Sequence, residues 1–231
     1  MSNPEKELTP EALKIYDRQR FIGLEVQRRL LNSLVLLSPI NGIITELAKN
    51  LVLCGCNLAL HDKGLISQEE IDTNFLFSSQ DLGKNKALTL KTKLLEMNPM
   101  VSIEIIEDLE GENLRKYKII AISTGNFAEM RKWDEISKES NIPVYILQCC
   151  GFYGFFYASL GKEFSYVKSQ KTQGILMEKG EITAKKEESK IEEICVKSID
   201  LQKTLEKPIK KRGKDVFLGI LSTFFIKIKV F

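Results

Sequence analysis

From Ser33 to Leu60 the chain passes through a short apolar run, a helical stretch and a second short apolar run, all within about 30 residues. Ser33–Ser38 (SLVLLS) has no polar alternation, so it reads as a strand covered on both faces. Gly42 opens a helical stretch, ITELAKNLVLCG, with Ile44, Leu47, Ala48 and Leu51 on one side and Gly55 as its stop. Leu58–Leu60 is the second strand and runs into His61-Asp62. Two strands joined by a helix pair in parallel, because the connection is too long for a hairpin. This βαβ unit restricts the chain to the α/β class.

The alternation continues downstream. Asn85–Met97 reads as a helix with Pro99 beyond it, Val101–Ile106 as a strand and Tyr117–Ser123 as a buried strand. Phe127–Ser140 is a helix and Ile142–Gln148 a strand. Phe152–Tyr166 holds seven Phe or Tyr residues and reads as one or two more strands. Ahead of the first strand, Glu11–Leu31 has helical spacing, and Gly23 divides it into two helices. The expected fold is α/β: a Rossmann-like, doubly wound, mainly parallel sheet with flanking helices.

The texture changes near the end. Ser169–Lys214 carries 12 Lys/Arg and 8 Asp/Glu among 46 residues and no aromatic residue. Such a stretch buries too little apolar area to offset its ordering entropy, so it reads as a flexible linker. Asp215–Phe231 is apolar again and reads as a return segment cut short. The expected organisation is a 1–168 domain, a 169–214 linker and a 215–231 return segment.

Several function classes are excluded by composition. The net charge of +3 is too balanced for a chain that binds nucleic acid over its whole surface. The longest apolar run, Phe217–Ile226, is too short and too interrupted to cross a bilayer. The polar start carries no signal core, so the expected setting is intracellular and reduced. Cys54, Cys56, Cys149, Cys150 and Cys195 include no Cys-x-x-Cys pair, and His61 is the one histidine, so no metal site is expected. Cys54, Cys56 and the Cys149-Cys150 pair read as buried small hydrophobes. Phe152, Tyr153, Phe155, Phe156 and Tyr157 read as core or interface residues rather than a ligand platform.

A dinucleotide-binding turn carries G-x-G-x-x-G after the first strand. Here the turn is Ser38-Pro39-Ile40-Asn41-Gly42-Ile43-Ile44-Thr45-Glu46, in which Gly42 alone remains. Pro39 removes a backbone donor from the phosphate cradle, and Ile44 places a branched side chain where backbone should approach. This pocket should bind ATP poorly or not at all. From the loop alone, an ordinary turn of a Rossmann-like domain fits equally well.

YDRQRFIGLEVQRRLLNS (Tyr16–Ser33), ELAKNLVLCG (Glu46–Gly55), LGKNKA (Leu82–Ala87) and MNPMVSIE (Met97–Glu104) stand in a defined order. Together they resemble the adenylating domains of the MoeB/ThiF superfamily, which activate ubiquitin-like proteins. GFYGFFYASLGKEFSYV (Gly151–Val167) resembles strands of the small regulatory subunits of SUMO-activating enzymes. The resemblance runs from about Tyr16 to Val167. It implies a dimer of two adenylating domains, one catalytic and one not.

Several departures point to the non-catalytic half. The glycine loop is degraded. Thr124-Gly125-Asn126 stands where the family resembles T-D-N, so the acid that helps hold Mg-ATP is missing. The zinc cysteines and thioester domain of the catalytic half are absent. The family's N-x-x-R-Q arginine is also not evident in Thr73-Asn74-Phe75-Leu76-Phe77. The resemblance leaves Gly42, Asp62, Lys84 and Lys86 as a degenerate nucleotide-site remnant, with Asp62 at the ribose-binding acid. It further implies that Arg18, in Y-D-R-Q, reaches in trans into the partner's ATP site. The ordinary alternative is that Arg18 pairs on the surface with Asp17 or Glu25.

The implied partners are the catalytic subunit of a SUMO-activating enzyme and, through the complex, SUMO. Mg-ATP would be held by the partner, with no cofactor on this chain alone. The implied setting is the nucleus, with the cytoplasm beside it; Lys207–Lys214 (KPIKKRGK) fits a nuclear address as well as a solvated basic tail. The regulatory subunit of the neddylation-pathway enzyme is the sister reading. A free-standing NAD(P)-dependent oxidoreductase is the alternative of another class, and the loss of two loop glycines counts against it.

Overall fold

The computed structural model describes residues 9–17, 19, 23–109, 111–151, 153–170 and 190–197. Arg18, most of the 169–214 segment and all of 215–231 lie outside the described residues. Two short helices come first, α1 (Pro10–Ile15) and α2 (Leu24–Leu31). Gly23 stands between them with φ of 94°, a conformation that L side chains rarely adopt. The remaining elements are β1 (Leu34–Ser38), α3 (Gly42–Leu53), β2 (Asn57–Leu60), α4 (Gln68–Thr73), α5 (Lys86–Met97), β3 (Ile103–Ile105), β4 (Ile119–Ser123), α6 (Phe127–Ser140), β5 (Val144–Cys150), β6 (Tyr153–Ser159), β7 (Glu163–Gln170) and β8 (Lys190–Lys197).

The main sheet has six strands in the order β3-β2-β1-β4-β5-β6. All neighbours are parallel except β5 and β6. The order reverses at β1/β4, which makes this a doubly wound Rossmann-like sheet with its topological switch point at the carboxyl ends of those two strands.

Strand alternation divides the core between the two faces. Val35 and Leu37 of β1 and Ala121 of β4 pack with Ile44, Ala48, Val52, Leu90 and Leu94 of α3 and α5. Leu36 of β1 and Ile120 and Ile122 of β4 pack with Met130 and Trp133 of α6. Both faces are therefore covered, which is why β1 reads as one unbroken apolar run.

The end of α3 is closed by a Schellman motif. Cys56 N–H donates to Leu51 at 2.9 Å, Gly55 N–H donates to Val52 at 2.9 Å, and Gly55 has φ of 90°. Tyr16 packs onto this turn. Its hydroxyl accepts Asn98 Nδ2 at 2.8 Å, and the same amide donates to the Val52 carbonyl at 2.8 Å.

The linker expectation is corrected in part. Lys190–Lys197, within 169–214, forms β8 and pairs antiparallel with β7, so a domain boundary at 168 would cut β7. The charge count of the segment averages away a local β-branched cluster, Ile191, Ile194 and Val196. The register runs from Glu163 opposite Lys197 to Gln170 opposite Lys190.

Candidate functional site

The carboxyl ends of β1, β2 and β4 meet at the switch point, where α/β sheets bind ligands. Asn41 is the N-cap of α3, and its side-chain oxygen accepts Ile44 N–H at 3.1 Å. Its amide nitrogen donates to Ser123 Oγ at 2.7 Å, and that hydroxyl donates in turn to Gln148 at 3.4 Å. This chain of polar contacts ties the two strand ends across the crevice. Ser38 Oγ lies 2.9 Å from His61 Nδ1. Burial pulls the His61 pKa down, so the ring is neutral near pH 7.

Asp62 follows β2. Its Oδ2 accepts Ile40 N–H at 2.8 Å and its Oδ1 accepts Gly64 N–H at 2.7 Å. Lys86, the first residue of α5, places Nζ 3.7 Å from Asp62 Oδ2 and pairs directly with Glu70 of α4. The backbone supplies the reason for this meeting. Residues 64–66 run antiparallel to 83–86: Ile66 N–H donates to Lys84 at 2.8 Å, Gly83 N–H to Ile66 at 2.9 Å, and Lys86 N–H to Gly64 at 3.1 Å. A Cβ on Gly64 would stand 2.9 Å from Asp62 Oδ1 and 3.1 Å from Lys86 Cε, so a side chain there would have to push these two aside.

Of the four residues that the resemblance implies for a nucleotide site, Asp62 and Lys86 lie 3.7 Å apart, and Gly42 follows the loop that Asp62 fastens at Ile40. Gly42 opens α3, and the Thr73 carbonyl at the end of α4 lies 3.1 Å from where its Cβ would be. Lys84 turns to Asp81 at 3.1 Å instead and is 56% exposed. Asp81 also accepts Ser78 N–H at 3.0 Å and pairs with Lys93 at 2.6 Å. The bond from Lys93, opposed by burial and aided by Ser78 and Lys84, holds this carboxyl well below the usual aspartate range.

At the end of β4, Asn126 is spent as the N-cap of α6, accepting Ala128 N–H at 2.9 Å. Thr124 Oγ1 donates to Glu129 at 2.6 Å. A Cβ on Gly125 would meet nothing nearer than the Gln148 amide at 3.8 Å. A side chain could therefore start at this position without a clash at its Cβ.

Glu70 is the residue the sequence reading passed over. Its signal was Ser67-Gln68-Glu69-Glu70, a capping box that starts α4: Ser67 Oγ accepts Glu70 N–H at 3.3 Å and Glu70 Oε2 accepts Ser67 N–H at 3.0 Å.

The cysteine expectation is corrected for three positions. Cys56 is buried, and burial pushes its thiol pKa up, but Cys54 is only half-buried and Cys149 and Cys150 are exposed. The last two sit at the end of β5, where the burial of the strand gives out. Among the described residues, no group of three or more His, Cys, Asp or Glu comes together to hold a metal ion. Nor is any described helix long and apolar enough to cross a membrane. In the aromatic group, Tyr157 is core, donating to Asp134 at 2.8 Å. Phe156 is exposed and stacks on Tyr145 with ring centroids 5.5 Å apart.

The ThiF family model matches residues 16–196. The chain belongs to the ThiF family. The match takes in all but the last residue of β8 as well as the switch-point crevice. Among curated relatives, SUMO-activating enzyme subunit 1 of Xenopus laevis is 32% identical over 198 residues, covering 82% of this chain and 58% of the relative. The DNA damage tolerance protein rad31 of Schizosaccharomyces pombe is 30% identical over 159 residues, 66% of this chain and 52% of the relative. Ubiquitin-activating enzyme E1 1 of Candida albicans is 28% identical over 155 residues, 66% of this chain but 15% of the relative. The chain thus spans about half the length of the subunit-sized relatives. The solved structure of E. coli MccB with succinimide shares the fold, with a TM-score of 0.56 at 23% identity, covering 62% of this chain and 47% of that one.

Proposed function

We propose that this ThiF-family chain is the non-catalytic half of a two-subunit SUMO-activating enzyme. The observation that carries the reading is the state of its own crevice. The acid position at the end of β4 is Gly125, and Lys86, the one ion-pair partner of Asp62 among the described residues, is taken by Glu70. Kinship with SUMO-activating enzyme subunit 1 proteins supports the choice of modifier and of a partner subunit.

In this reading the partner binds Mg-ATP. The C-terminal carboxylate of the modifier attacks the α-phosphate, giving an acyl-adenylate and releasing pyrophosphate. This chain scaffolds the partner and supplies Arg18 in trans. A guanidinium suits the role because its charge is permanent and its planar fork matches phosphate oxygens. Charge aimed at the reacting phosphates stabilises the transition state more than the ground state. The basic run Lys207–Lys214 supports a nuclear setting.

The test is ATP–pyrophosphate exchange with SUMO, using this chain alone, the catalytic partner alone and the two mixed. Activity in the mixture only is the expected result. Exchange by this chain alone would overturn the reading. Replacing SUMO with the neddylation-pathway modifier in the same mixture decides between the two modifiers.

A further inference from the structure

We propose that Glu70 is an internal anion that closes the crevice of this chain to polyphosphate by occupying Lys86. This rests on the reading of the crevice as a former nucleotide site and adds how it is kept shut.

The three side chains differ in how they are held. Asp62 is 9% exposed and satisfied by two backbone N–H groups, so it does not depend on Lys86. At 3.7 Å its contact with Lys86 is electrostatic, too long for a hydrogen bond. Glu70 Oε1 makes the direct contact and takes one of the ammonium's three donors. Lys86 is 17% exposed and Glu70 22%, so the pair is screened from solvent on most sides. Two carboxylates on one ammonium leave the group with one net negative charge, which repels an arriving phosphate.

The rest of α4 covers the crevice too. The Thr73 carbonyl lies over Gly42 at the start of α3, and Asn74 anchors that end by donating to buried Thr45 Oγ1 at 2.7 Å. One short helix thus sets a carboxylate on the crevice's cation and a carbonyl over the amide end of α3. At Gly125 the crevice leaves a Cβ nothing nearer than the Gln148 amide, at 3.8 Å. It is closed by charge and by the cover rather than by bulk.

Glu70→Gln isolates the charge. Gln is the other residue that closes a capping box at this position, so the start of α4 is kept while the anion is lost. Inorganic pyrophosphate is titrated calorimetrically into the full 231-residue chain at low salt without magnesium. Glu70→Gln is expected to bind at least about tenfold more tightly than the natural chain. Adding Lys86→Met in that background should return binding to the natural level. Should the Gln protein not fold, Glu70→Asp serves instead: the shorter acid draws back from Lys86, and a gain of about threefold is expected.

Equal binding by the natural and folded Glu70 variants overturns the proposal. So does a gain that survives Lys86→Met. The outcome is separable from that of the half-enzyme reading. A silent exchange mixture sinks the latter even if Glu70→Gln gains pyrophosphate, and an active mixture leaves the closure standing or falling on the titration.

Discussion

Asp62 Oδ2 accepts the backbone N–H of Ile40 at 2.8 Å, fastening the end of β2 to the loop between β1 and α3. The other oxygen does the same for Gly64 on the far side. An acid that the family resemblance casts as a ligand contact is here a staple of the chain itself. Asp62→Ala would leave two part-buried N–H groups without this acceptor. A loss of about 2–4 kcal/mol in urea-unfolding free energy is expected. A change under half a kcal/mol would mean that water replaces the carboxylate at no cost.

The switch-point architecture was legible because each of its parts has a local signature. SLVLLS is apolar without alternation because both faces of β1 are covered, and Gly55 ends α3 in the Schellman turn its position suggested. The residues that close the crevice were less legible. Glu70 lies in a stretch with no apolar periodicity, and what brings it to Lys86 is a backbone pairing of 64–66 with 83–86 that no local pattern encodes. Lys84 and Lys86, two apart in one motif, were read together. The turn into α5 sends them to different acids, Asp81 and Glu70. β8 was missed for the opposite reason: three β-branched residues were diluted by the charges around them.

Asp81 should govern part of the acid limb of stability. Its carboxyl sits well below the ordinary aspartate value, near 4, because Lys93 bonds to it, against burial and with help from Ser78 and Lys84. A carboxyl depressed in the folded state stabilises above its unfolded pKa, and the contribution is lost as pH falls below that value toward the folded one. Asp81→Asn should therefore lower stability at pH 7. The gap between the two proteins should narrow as pH falls from about 5 to 3. Urea unfolding at those pH values checks this; a gap that widens toward acid would refute the assignment.

Gly125→Asp should be tolerated. The space around the position is open, the residue is exposed, and its φ is not positive. Stability should change by no more than about 0.5 kcal/mol in thermal or urea unfolding. The variant should also stay silent in ATP–pyrophosphate exchange when assayed alone, since Glu70 still holds Lys86. Exchange by the single variant would show that one missing acid separates this crevice from a working site.

Tyr16 and Gly55 connect the switch-point domain to the segment that bears Arg18. A Cβ on Gly55 would stand 2.9 Å from the Tyr16 ring and 2.9 Å from Leu31, in a backbone conformation with φ of 90° that L residues rarely adopt. Gly55→Ala therefore strains the turn and displaces the tyrosine together, at a cost of about 2 kcal/mol or more. Tyr16→Phe keeps the packing and removes only the bond from Asn98, so about 1 kcal/mol is expected. If Arg18 serves the partner's ATP, exchange in the mixture should respond in a set order. Arg18→Ala should lower the rate by about 100-fold or more with partner binding intact. Tyr16→Phe should have a small effect, and Gly55→Ala should fall between, by moving the segment without removing the charge. An Arg18→Ala protein that assembles and exchanges at the natural rate would reduce this chain to a scaffold. The Tyr16 and Gly55 variants would then change stability alone.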